Sequence, residues 1–221
     1  IKAIVYLSQS GMEAGHVAAD ILSGKVNPSG KLTATWTYNY SDYPHADTFG
    51  HRNGDLDNEY YNDGIYVGYR YFDSFGVDVL YPFGYGLSYT QFETVPGEVS
   101  VNGNEITVTA TVTNKGALAG REVVQVYAAC PQSAQGKELK RLTGFKKTGE
   151  LNPGESETVK ISFDEKSVAS YCYKCASWVV DAGDYGIFVG NSSQNTALAG
   201  VLNVSETVAI EKVEHILPLQ C

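Results

Sequence analysis

The chain has 221 residues, 43% of them hydrophobic and 19% charged, with a formal net charge of −9. That composition belongs to a globular chain of one large domain or two ordinary ones and excludes disorder. Lys and Arg are scattered except at residues 137–147, which excludes a phosphate-tracking nucleic-acid surface, and no apolar run approaches the roughly 20 residues that span a bilayer.

Residues 1–7 show neither a signal-type apolar core nor an initiator Met, so Ile1 reads as an internal starting point. Residues 3–7 (Ala-Ile-Val-Tyr-Leu) form a short apolar run that predicts a buried strand. Behind it, Ala14, Val17, Ala18 and Ile21 recur at i, i+3, i+4 and i+7 and predict an amphipathic helix. Gly24 is placed to end that helix in the left-handed conformation, and Asn27-Pro-Ser-Gly30 makes a turn before Leu32, Ala34 and Trp36 alternate as the next strand. The order is βαβ, yet too few strands follow to complete a sheet. Ser8, Gly11 and Glu13 lie between strand and helix, the edge where α/β sheets hold ligands, and are candidates for the rim of a substrate cleft. A phosphate role for Gly11 and Gly15 fails, because no Lys-Ser/Thr follows and the motif falls inside the helix.

Residues 38–62 are polar and irregular, long enough to be functional or to lie across a neighbour. Their acids Asp55, Asp57 and Glu59, with nearby Asp63, read as a solvated loop rather than a catalytic carboxylate pair. Residues 65–71 alternate as a strand, and residues 82–89 carry closely spaced aromatics and glycines that need a surface to pack on.

Beyond Thr94, short alternating segments recur about every ten residues. Strands are predicted at 105–112, 122–128, 139–147, 158–163, 178–180, 185–189 and 198–204, with turns at Asn114-Lys-Gly116 and Asn152-Pro-Gly154, which makes an antiparallel sandwich. The Cys172-x-x-Cys175 pair precedes a Trp-Val-Val strand and lacks a second pair, so it reads as a hairpin turn rather than a zinc or redox site. The disulfide status of Cys130, Cys172, Cys175 and Cys221 is open. So is the compartment, because sequons at Asn39, Asn191 and Asn203 arise by chance at this composition. His16, His45, His51 and His215 show no metal-ligand spacing, and neither a metal nor a cofactor is expected.

The dense Tyr, Phe and Gly run of residues 61–92, with Gly11-Met-Glu-Ala-Gly15 and Asn27-Pro-Ser-Gly-Lys-Leu32, resembles the C-terminal portion of glycoside hydrolase family 3, which includes β-glucosidases. Val112-Thr-Asn114, Gly120-Arg-Glu-Val-Val-Gln-Val-Tyr127, Leu142-Thr-Gly-Phe145, Leu151-Asn-Pro-Gly154, Trp178 and Gly190-Asn-Ser-Ser193 resemble the fibronectin type III-like domain that closes many of those enzymes. The resemblance implies an α/β fold class, as a partial α/β sandwich domain over residues 1–92. An all-β fibronectin III/immunoglobulin-like sandwich follows over 93–207, and a tail or connector over 208–221, where Ile210, Val213, Ile216 and Leu217 fall at near-helical spacing.

The family's activity, release of terminal β-linked sugars by a retaining mechanism, needs two carboxyl groups about 5 Å apart. The resemblance places the nucleophile on a barrel and the acid/base on a loop upstream of Gly11, so no residue here inherits a catalytic role. The implied partners are the barrel-containing remainder of the enzyme, on another chain or the same polypeptide, and an oligosaccharide or glycoside. Neither nucleic acid nor a membrane is an expected partner. Some relatives carry the barrel after the fibronectin domain, an order the tail also fits. Asp63 stands where the family more often has Glu and is expected to form a buried ion pair with Arg70, fixing a strand beside the sugar cleft. The other reading is a carbohydrate-binding or purely structural accessory module, suited to the 16 tyrosines.

Overall fold

The computed structural model describes residues 2–132, 136–214 and 216. The β-sandwich holds the main hydrophobic core. One sheet joins β1 (Phe92–Asn102), β2 (Glu105–Asn114) and β5 (Ser156–Asp164) in the order β1-β2-β5. The facing sheet joins β3 (Val123–Ala129), β4 (Arg141–Lys147), β8 (Gly183–Gly190) and β9 (Thr196–Val204) in the order β4-β3-β8-β9. A third small sheet, β10-β7-β6, is made of β6 (Ser170–Cys172), β7 (Ser177–Val180) and β10 (Val208–Lys212).

Alternation explains the core. Val108, Ala110 and Val112 of β2 face inward against Val124 and Val126 of β3 and Ile187 and Val189 of β8, all within 2% of complete burial. Each such Val or Ile contributes on the order of 2 kcal/mol by leaving water. On the outer face of the same strands, hydroxyl pairs Thr107–Ser162, Thr111–Thr158 and Thr113–Ser156 bridge β2 to β5 at 2.8–2.9 Å. Pro96 and Gly97 interrupt the β1–β2 register, and Glu98 N there donates to Thr109 Oγ1.

Residues 1–91 hold both α-helices. The first, α1 (Ala14–Leu22), forms where the apolar spacing predicts it and ends with Gly24 at φ +76°. Residues 3–7 are not a strand, a correction to the expected βαβ unit. A strand exists only through a hydrogen-bonding neighbour, and among the described residues none pairs with this run. Residues 32–36 reach a single bridge, Trp36 with Tyr81, reinforced by Leu32 N donating to Tyr85 O.

The expected strand at 65–71 is instead the approach to α2 (Tyr69–Phe75). Gly68 at φ +57° turns the chain, Gly76 at φ +63° ends the helix, and Phe72 is 1% exposed against Tyr43 and Tyr71. Tertiary burial of one aromatic outweighs the local alternation. Likewise, the expected helical connector begins as β10, whose residues pair with β7 from Val208↔Val180 to Lys212↔Ser177. His215, Leu217 and Cys221 lie outside the described residues, as does the side chain of His51.

Candidate functional site

Some of the motif residues converge on one seam, where residues 27–31, α2 and residues 82–92 press on β3, β4 and the turn after β8. Asn27 works in both directions, its Nδ2 donating to Ala119 O at 2.9 Å and its Oδ1 accepting from Ser88 Oγ and Tyr89 N at 2.8 Å. Asn114, 0% exposed, uses its whole amide: Nδ2 donates to Leu118 O and Leu151 O, and Oδ1 accepts from Thr90 Oγ1 and Gly116 N. Gln125 accepts from Tyr127 Oη at 2.6 Å and donates to Gly84 O at 3.1 Å and Asn191 O at 2.8 Å. Only glycine fits at 84, because φ is +79° and a Cβ there lies 2.1 Å from Gln125 Oε1.

Aromatic packing closes the middle of the seam. Tyr69 stacks on Phe83 at 4.7 Å and meets Tyr127 edge-on at 5.9 Å, and its hydroxyl accepts from Leu142 N at 2.8 Å. Burial pushes the Tyr127 phenol far above its ordinary value, with Tyr69 and Asp73 adding to the shift. Part of the surface sought by the aromatics of residues 61–92 is therefore the chain's own sandwich.

Charges flank this packing. Lys31 meets Glu122 at 2.6 Å. Lys137, 0% exposed at its side chain, meets Asp181 at 2.6 Å. Arg141 Nε approaches Glu138 Oε1 to 2.7 Å, and Arg70 Nε lies 3.9 Å from the same oxygen. The expected pair of Asp63 with Arg70 is corrected: no ion pair joins them among the described residues, Arg70 is 40% exposed, and its partner Glu138 comes from the sandwich. Asp63 instead opens a turn, its backbone carbonyl accepting from Tyr66 N at 3.0 Å.

The other candidates lie away from the seam. Ser8 and Gly11 are exposed, and Gly11 has φ +71°. Glu13 stands at the N-terminal cap of α1, its carboxylate 2.6 Å from His16 Nδ1. In the loop at 50–63, Asp55 and Glu59 are engaged by amide groups. Asp55 accepts from Asp57 N, Asn58 N and Asn58 Nδ2, bonds that hold its carboxyl below the usual range, the Asn58 side chain most of all. Glu59 accepts from Gly50 N. Cys172 and Cys175 form a disulfide across the β6–β7 hairpin turn, and Cys130 is a buried thiol. Among the described residues, no group of three or more His, Cys, Asp or Glu is placed to hold a metal.

Comparison with known proteins finds two family matches along the chain. Residues 1–89 match the glycosyl hydrolase family 3 C-terminal domain, and residues 122–193 match the fibronectin type III-like domain. The chain carries the C-terminal domain of glycoside hydrolase family 3. It is similar to a β-glucosidase of Ruminococcus albus, 40% identical over 97% of this chain and 23% of the relative. It is also 41% identical to an exo-α-(1→6)-L-arabinopyranosidase of Bifidobacterium longum, over 85% of this chain and 24% of the relative. Among solved structures, β-glucosidase 3B from Thermotoga neapolitana in complex with α-D-glucose superposes with a TM-score of 0.85 at 43% identity, over 92% of this chain and 28% of that one. The chain thus spans about a quarter of the length of the relatives it matches.

The family 3 match ends at residue 89, β1 begins at Phe92, and the seam draws on residues from both sides. Local sequence missed Glu122, Gln125 and Glu138 as seam residues. The one available signal was a polar residue inside an otherwise apolar strand, as Gln125 stands between Val124 and Val126.

Proposed function

We propose that this chain is the non-catalytic C-terminal portion of a retaining β-glucosidase-like glycoside hydrolase that releases terminal β-linked sugars. The catalytic carboxylates then sit on a barrel and an upstream loop supplied by the remainder of the enzyme. One observation carries the reading: the motif residues at 27–31 and 82–92 are consumed in joining this chain to itself, while a row of apolar side chains within residues 3–26 stays exposed. Ile4, Val5, Tyr6, Leu7, Met12, Val17, Leu22 and Val26 are all exposed, and α1 buries none of its residues. An apolar face of this extent belongs against protein.

Ser8, Gly11 and Glu13 then lie where that remainder docks, at the rim of the shared cleft. Near-equal identity to a β-glucosidase and to an arabinopyranosidase supports placing sugar choice outside this region. A carbohydrate-binding module is the second reading, and the exposed Tyr38, Tyr40 and Tyr43 beside Trp36 favour it.

Hydrolysis of an aryl β-glucoside separates the two. The 221-residue chain alone is expected to show no turnover, and the same chain joined to a family barrel and upstream segment is expected to hydrolyse the substrate. Turnover by the isolated chain overturns the accessory reading.

A further inference from the structure

The seam does not close along its whole length. A cleft of about 420 Å3 opens between the turn at 28–31, the crossing segment at 86–92 and the entry to β3, within the size range of small-ligand sites. Every wall comes from this chain, so the cleft does not depend on the uncovered face at residues 3–26.

Its polar groups divide sharply. Lys31 and Glu122 neutralise each other, and Glu122 also accepts from Val123 N at 2.7 Å and Asn191 Nδ2 at 3.3 Å. Arg121, Gln91 and Ser29 line the same space, Arg121 and Gln91 exposed and Ser29 half-buried, and none of their side chains has a hydrogen-bond or ion-pair partner among the described residues. Phe92 and the exposed Leu87 supply apolar walls beside them.

We propose that this cleft binds the pyranose ring of a neutral β-glucoside, a ligand class that rests on the glycosidase reading above. A planar guanidinium and a planar amide each present in-plane hydrogen-bonding groups to adjacent ring hydroxyls, and the amide also accepts. The apolar walls take the C–H face of the ring. With Lys31 and Glu122 paired, Arg121 leaves one uncompensated positive charge on the cleft, so inorganic phosphate is the competing ligand in the test.

The test is titration of the isotopically labelled 221-residue chain with methyl β-glucopyranoside and with cellobiose, following the Gln91 side-chain amide and the Arg121 Nε resonances. The expected result is a saturable shift of both signals with a dissociation constant in the millimolar range, about 4 kcal/mol of binding free energy. Arg121→Ala and Gln91→Ala are each expected to weaken it about tenfold without moving Tm, since neither side chain holds the fold. No shift at either residue overturns the proposal. So do shifts of the backbone amides of residues 29–31 and 86–92 that persist undiminished in the double variant, which place the sugar elsewhere, and saturation by inorganic phosphate but not by sugar, which makes the cleft an anion site. Because the readout is binding to this chain, its failure leaves hydrolysis by the joined enzyme untouched, and failure of hydrolysis leaves the binding result standing.

Discussion

Lys31 and Glu122 meet across the seam at 2.6 Å with only 12% and 9% of their side chains exposed. Removing one partner strands a buried charge, so Lys31→Met is expected to cost about 3 kcal/mol, whereas Lys31→Met with Glu122→Met costs less than the two single changes added. Urea unfolding of the three variants measures this. A single-variant loss under about 0.5 kcal/mol, the scale of an exposed pair, contradicts the assignment.

Two arginines share Glu138 unequally. Arg141 lies 2.7 Å from the carboxylate at 13% exposure, and its outer nitrogens donate to Ala169 O and Ser170 Oγ. Arg70 stands 3.9 Å away at 40% exposure. Arg141→Met is therefore expected to lower stability by about 3 kcal/mol and Arg70→Met by less than about 1 kcal/mol. Equal losses, or a larger one at Arg70, refute the ranking.

Features set by near neighbours in sequence were legible: the α1 spacing, the left-handed Gly24, the alternating sandwich strands and the Cys172–Cys175 turn. Features set by distant residues were not. Residues 3–7 have the composition of a strand but no partner to make one, and the alternation before α2 yields to the burial of Phe72. Asp63 and Arg70 are close in sequence, yet Arg70 finds Glu138 only because α2 packs on the sandwich. The helical spacing of Ile210 and Val213 was misleading because β7 offers that segment a free edge. The aromatic motifs were recognisable as a signature, while their use in the seam appears only once β3 places Gln125 and Tyr127 beneath them.

Alkaline stability has a defined sign. Burial raises the Cys130 thiol above its ordinary 9.0 and the Tyr185 phenol from 10.0 to about 12, and it raises Tyr127 further still. The unfolded chain loses these protons first, so from pH 9.0 upward the native state binds more protons and stability falls as pH rises. Lys140 acts oppositely: burial lowers it from 10.5, partly offset by Asp73, so its contribution to stability rises with pH up to 10.5. Three groups oppose one, and the urea midpoint is expected to fall above pH 10.0. Tyr185→Phe is expected to flatten the slope between 10.0 and about 12. An unchanged slope in that variant removes Tyr185 as a cause.

Amide hydrogen exchange at residues 3–10 reads the docking face itself, because protection there requires hydrogen bonds and cover that the described residues do not supply. In the 221-residue chain alone, the amides of residues 3–10 are expected to exchange at nearly the unprotected rate while β2, β3 and β8 remain protected. Joined to a barrel and the upstream strands, the same amides are expected to slow by orders of magnitude. Core-level protection of residues 3–10 in the isolated chain would contradict the account.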